Sequence, residues 1–484
     1  MIVRPLFAAL LCAGAAAALP ALAGQAPFAT DAPNYAVSNG DRVYTADQFS
    51  NTVSVVDPAS NTLLGVIRLG QPQPANFSPL YTGQVLVHGM GFSPDRKTIV
   101  VVSIGSNSLT FIDTATNTVK HTTYIGRSPH EAFFSPDGSE VWATVRGEDY
   151  VLVVDAATFR EKTRIRTNNG PGMTIFSPDG AYAYVCSSFT PETVVIDVKR
   201  HEVIARQPQP SPFCPNIAAS PDGQQVWYTL KDTGKTVVFN GRPPFQTLKV
   251  LDTGPITNHV NLVDNANGKF AYVTVGGLNQ VQVFRRDDFS KVATIPVGKL
   301  PHGVWPSGDG TRIYIGLEND DAVGAIDTLT NKLIATIPIG QAPQAITYVP
   351  GAAPEGQSQA GLQPLGLAGI ATHLTLGGRG GDGQAPTSVT LFDQGQVQVV
   401  QGAVTGLQPK SPYVLALASS PDGSGPLEPL EAFMTNPAGG AIVNAAGPIR
   451  QLVQPAGAAG PRRYLVIAPG QPGALGAPVQ IQGP

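Results

Sequence analysis

From about residue 40 to residue 350 the chain alternates between short apolar runs and short polar breaks. The runs have strand length and are rich in Val, Ile, Tyr, Phe and Trp. The breaks hold Gly, Pro, Asp, Asn and Ser, the residues that turn a chain. One stretch shows the unit. Glu131-Ala132-Phe133-Phe134 predicts a strand, Ser135-Pro136-Asp137-Gly138 a turn, and Val141 to Val145 a second strand. In the turn, Pro presets φ, Asp bonds back to the backbone and Gly accepts positive φ. Tyr150 to Val154 predicts a third strand, closed by Asp155. Lys162 to Arg166 predicts a fourth, whose polarity suits an exposed outer edge.

This unit repeats. Ser-Pro-Asp begins at Ser93, Ser135, Ser177 and Ser220, with degenerate copies at Asp264 and Ser307, in steps of 42, 42, 43, 44 and 43 residues. A period of 40–45 residues carrying four antiparallel strands is the signature of propeller blades. Second strands anchored at Tyr44, Val101, Trp142, Tyr184, Trp227, Tyr272 and Tyr314 predict seven blades over about 30–350. Gln344 to Val349 reads as an innermost strand with no blade after it, and would close the ring by completing the first blade. Tyr35 to Gly40 competes for the same place. Recurrent Asp57, Asp113, Asp155, Asp197 and Asp327 end third strands, and Asp95, Asp137, Asp179 and Asp222 sit in the turns. Repetition in nearly every blade assigns them to the fold. Trp142, Trp227 and Trp305 are expected between blades.

Several pieces match a known repeat: Pro301-His302-Gly303 before a first strand, Ser-Pro-Asp-Gly at the turn and Ala271 to Thr274 (Ala-Tyr-Val-Thr) in a second strand. Asn51 to Asp57 (Asn-Thr-Val-Ser-Val-Val-Asp) in a third strand, and Val297-Gly298 and Ile339-Gly340 after fourth strands, complete the set. About two-thirds of the chain thus resembles the YVTN-type, WD40-like β-propeller repeat family. The resemblance implies the fold and no single activity. Similar proteins include surface-layer components, periplasmic binding proteins, a nucleic-acid binder, metallochaperone-like proteins and lactonase relatives.

Past residue 350 the repeat stops. Residues 351–361 read as a flexible linker. Ser388 to Phe392, Gln396 to Gln401, Tyr413 to Leu417 and Tyr464 to Ile467 predict strands of a small antiparallel β-sandwich over 362–484, with an adhesion, docking or spacer role. The chain is therefore all-β, a propeller over 24–350 followed by that second domain.

Residues 1–23 read as a secretory signal: Arg4, an apolar run from Leu6 to Leu22, and small residues at Ala21 and Ala23 before Gly24. No later run is long enough to span a membrane. The mature protein is expected in the periplasm or outside the cell, monomeric, with a small molecule or an envelope protein as partner. Glycine (53) and proline (44) make a fifth of the chain, and only 13% of residues are charged. The repeat explains the first as turn punctuation. The net charge of −3 leaves no basic footprint for nucleic acid.

Candidate chemistry gathers at one register. Four of the seven histidines, His88, His130, His259 and His302, stand five residues before the turn position, where the other copies carry Gly172, Pro215 and Gln344. Innermost strands line a propeller's channel, so these imidazoles should converge at one mouth. They could hold Zn or Cu, bind an anion or polar ligand, or merely cap strands. Loops after second strands should bring Asp47, Gln48, Arg146, Lys231, Glu318 and Asn319 to the same rim, and Glu318 with His302 could form an acid–base pair. Cys186 and Cys214 fall near that mouth, as a disulfide or as two further metal ligands. No nucleophile elbow, His-Glu-x-x-His or phosphate loop names a reaction. A non-enzymatic binding or scaffold protein is the leading expectation. A lactonase-like hydrolase or lyase using the same rim is the alternative.

Overall fold

A computed structural model describes residues 36–70, 85–353, 359–378, 386–393, 398–447 and 462–483. The segment read as a secretory signal, 1–23, and the middle of the stretch read as a linker lie outside them. Seven four-stranded antiparallel sheets form a propeller. Blade 1 takes its innermost strand, Pro343–Val349, from the far end of the ring and pairs it with Arg42–Asp47. Blades 2 to 7 begin with innermost strands at Val87–Phe92, Pro129–Phe134, Pro171–Phe176, Ile217–Ala219, Thr257–Asn265 and Pro301–Pro306.

The repeat aspartates build the corners. Ser135 Oγ donates to Asp137 and Ser177 Oγ to Asp179, each at 2.6 Å, and the pairing recurs at Ser93–Asp95 and Ser220–Asp222. Asp155 accepts the N–H groups of Ala157 and Thr158, as Asp327 accepts those of Leu329 and Thr330. These are Asx turns, which satisfy backbone donors that leave the ladder.

Two tryptophans pack between blades. Trp142 lies edge-on to Phe176 of blade 4, and Trp227 faces Phe289 of blade 6. Trp305 departs from that expectation. It springs from the innermost strand of blade 7, yet its ring neighbours are Phe92 of blade 2 and Phe133 of blade 3, 6.1 and 6.4 Å away. It therefore spans the axial channel. The cavity left there holds only about 20 Å³ of solvent-sized space, roughly one water.

Cys186 and Cys214 join blades 4 and 5 in a disulfide, with Cα atoms 5.9 Å apart across 28 residues. A loop of that length implies about 3–4 kcal/mol from reduced denatured-state entropy. Dithiothreitol, or a Cys186→Ser/Cys214→Ser double variant, should lower the denaturation midpoint by that equivalent. An unchanged midpoint in urea would show that the bridge carries no stability.

The C-terminal strands form one curled sheet, ordered Leu427–Met434, Pro412–Ala418, Tyr464–Gln471, Gln480–Gln482, Thr372–Gly378, Thr387–Asp393, Gln398–Val404 and Ala441–Gly447. Its two edge strands lie side by side, so the sheet nearly closes. Its interior holds Leu376, Val389, Val400, Leu415 and Ile467. This domain is seated on the propeller. Phe392 stacks on Phe49 of blade 1 with centroids 4.2 Å apart. Ala403 packs against Ile256 and Leu300, which lead into the innermost strands of blades 6 and 7. Asn319 Nδ2 donates to Ser388 Oγ, and His373 Nε2 lies 3.1 Å from the Asp321 carboxylate.

Candidate functional site

The innermost strands start at one end of the channel, and the same register therefore delivers one side chain per blade to one ring. His88 and His130 come from blades 2 and 3, with ring centroids 4.5 Å apart; His259 and His302, from blades 6 and 7, are 4.7 Å apart. Blade 1 supplies Gln344 between the pairs. Blade 4 has no room for a side chain: a Cβ on Gly172 would lie 2.7 Å from the Cys214 carbonyl and from Ser188 Oγ. All four histidines are between 3% and 7% exposed.

Burial governs their charge. It holds His88, His130 and His259 well below the usual imidazole pKa, and the nearby Arg146 and Lys231 push in the same direction. Hydrogen bonds then fix two tautomers. His130 Nδ1 lies 2.7 Å from the Gly172 carbonyl, which can only accept. His302 Nδ1 lies 2.7 Å from Glu318 Oε2. Burial lowers His302 and the Glu318 charge partly restores it. Burial would raise Glu318, but His302, Lys231 and a bond from Gln344 outweigh it and keep the carboxylate ionised. In both neutral imidazoles Nδ1 carries the proton, and Nε2 is left as a lone-pair acceptor. His88 Nδ1 and His259 Nε2 are buried with no hydrogen-bond partner, a cost that a bound ligand would relieve.

Two cations complete the ring. Arg146 follows the second strand of blade 3 and Lys231 that of blade 5. Both are half-buried. Neither makes an ion pair among the described residues. Burial brings the Arg146 guanidinium down to about 10 and lowers the Lys231 ammonium. Glu131, beside His130, is 2% exposed, and burial raises its carboxyl to about 8 against the opposing Met90 backbone bond and Arg146 charge.

Other rim residues are differently employed. Asp47 is buried in the seam between blades 1 and 7, accepting from the hydroxyls of Thr45, Thr52 and Ser54. Burial raises it to about 7 despite those bonds. Gln48 donates its backbone N–H to Ala342, and Asn319 is bound to the C-terminal domain. Among the described residues, no three His, Cys, Asp or Glu side chains stand together as ligands for a metal ion; the imidazoles form two pairs instead. Cys186 and Cys214 are committed to each other.

The C-terminal domain roofs this mouth over blades 1, 6 and 7. Its contacts involve loop residues such as Phe49 and Ile256, whose burial could have been suspected only from two isolated apolar residues in turn positions. At blades 3 and 4 the rim carries a vestibule of about 560 Å³, whose lining includes Arg146.

Residues 1–146 match the family described as YNCE-like beta-propeller, and residues 121–333 match that described as Lactonase, 7-bladed beta-propeller. Among solved structures, a functionally unknown protein from Desulfotomaculum acetoxidans is similar at 14% identity, over 64% of this chain and 99% of that one, with a TM-score of 0.52. Hydrazine synthase of Kuenenia stuttgartiensis is similar at 21% identity, over 54% of this chain and 88% of that one, with a TM-score of 0.47. No curated protein matches the chain. The likeness to the Desulfotomaculum protein shows the propeller fold.

Proposed function

We propose that this is an exported binding protein whose propeller mouth takes a small carboxylate bearing a hydroxyl group. The observation that carries the reading is the pair of half-buried cations, Arg146 and Lys231, without a salt bridge among the described residues and set beside imidazoles with vacant polar atoms. A carboxylate suits the cations, through a charge-assisted contact that is strongest with guanidinium. A hydroxyl suits the lone pairs that the His130 and His302 tautomers leave on Nε2. The disulfide supports export to an oxidising compartment.

Calorimetry tests this directly. Lactate should bind more tightly than propionate, which lacks the hydroxyl. Arg146→Met/Lys231→Met should weaken lactate by at least a hundredfold, about 3 kcal/mol for two charge-assisted contacts. Equal binding by the double variant would refute the reading.

A second reading has one observation in its favour. Glu318 holds His302 as carboxylates hold general-base histidines, and the lactonase-like match covers both residues. His302 Nε2 would take a proton from water attacking a lactone carbonyl, and the cations would steady the oxyanion. Lactone hydrolysis abolished by His302→Gln would establish it. The hydroxy acid would then be product rather than cargo.

A further inference from the structure

The vestibule outside Arg146 is lined by Arg127, Arg146, Glu148, Asp149, Phe189 and Thr190, among others. Its acids are already matched: Arg127 lies 3.9 Å from Glu148, and Arg166 pairs with Asp149. Arg146 is thus the lining charge with no ion-pair partner among the described residues. At its wall stands Phe189, 60% exposed. A single exposed apolar side chain is ordinary; Phe189 stands out because it shares a pocket with a half-buried cation. Among the described residues the only other exposed Phe, Tyr or Trp is Tyr124, at the mouth-side end of the outermost strand of blade 2, and it is not part of the vestibule lining.

Local structure holds the ring in place. Ser187 Oγ accepts the N–H groups of Phe189 and Thr190, and Thr190 Oγ1 donates to the Asn169 carbonyl. Gly170, at φ +76°, lies so close that its own Cβ would fall 2.4 Å from the Phe189 ring. The missing Cβ is what lets the ring lie against the blade 4 entry loop. The C-terminal domain contacts the propeller at blades 1, 6 and 7, whereas Phe189 and Arg146 line the same pocket at blades 3 and 4.

We propose that the vestibule is a second subsite, and that the ligand is an aryl-substituted hydroxy acid: carboxylate at Arg146, aromatic ring against Phe189. The inference rests on the anion-site reading above and adds the ligand's other half. Stacking and burial of a phenyl ring at a half-open site are worth about tenfold in affinity.

The test compares lactate with 3-phenyllactate by calorimetry on the full chain. Phenyllactate should bind about tenfold more tightly. Phe189→Ala should bring phenyllactate down to the lactate value, and Phe189→Tyr should keep the difference. Phe189 supports no core, and a thermal melt of each variant confirms folding. If lactate binds but phenyllactate gains nothing, or if the gain survives Phe189→Ala, the subsite is refuted and the anion site stands. If lactate itself does not bind, both fail.

Discussion

Trp305→Ala is expected to cost the propeller about 3–5 kcal/mol, as truncation of a buried tryptophan does when the surroundings cannot collapse. Collapse is unusually hard here. The ring lies between Phe92 and Phe133, on blades that do not neighbour its own. Closing the gap would require the blades to move inward together, against the ladders of seven rigid sheets. The deletion therefore leaves a cavity near the axis. The urea midpoint of the full chain should fall accordingly, and the melting temperature by roughly 5–10 °C. Trp305→Phe, which keeps an aromatic plug, should lose less than half as much. A loss under 1 kcal/mol for the alanine variant would mean that the channel is filled some other way.

Trp305 also marks where reading the sequence stops. Its position in the repeat places it on an innermost strand, and that is where it lies. Whether such a side chain turns toward a neighbouring blade or across the axis depends on what the other six blades present there. Small residues at Ala219 and Ala345 make the room, and no periodicity reports a sum over seven distant segments. Blade number, turn chemistry and the His register were legible because each is local and repeated. The two imidazole pairs follow from the same register, since blades 2 and 3, and 6 and 7, are adjacent. The seating of the C-terminal domain was not legible. It depends on single apolar residues, Phe49, Ile256 and Leu300, in loops where isolated apolar residues are ordinary. The charge states were equally hidden. Glu131 and Glu318 look alike in sequence, but Glu318 has His302 and Lys231 to hold it ionised. Glu131 has only the Met90 backbone bond and the Arg146 charge against its burial.

That difference predicts how binding follows pH. Lactate affinity should be flat between about pH 6.5 and 7.5 and should fall above about pH 8, by up to tenfold for each pH unit. The sign follows from Glu131. Below about 8 its carboxyl is protonated and neutral, and the Arg146 charge faces the ligand unopposed. Above that value it ionises, offsets Arg146 and repels a carboxylate ligand. The histidines do not blur the plateau, because burial keeps His88, His130 and His259 neutral until well into the acid range. Glu131→Gln should remove the part of the fall that sets in near pH 8, leaving only the later loss as Lys231 and Arg146 (the latter at about 10) give up their protons, with neutral-pH affinity within a few-fold of the parent. The same group makes a stability prediction of matching sign. A carboxyl whose folded pKa is raised binds more protons folded than unfolded, so its contribution is complete below about pH 4 and is lost as pH rises to about 8. Glu131→Gln should therefore melt higher than the parent at pH 9, with the gap closing toward pH 4. A parent that loses no more lactate affinity between pH 7 and 9 than Glu131→Gln does would remove Glu131 from the site's electrostatics, whatever its burial.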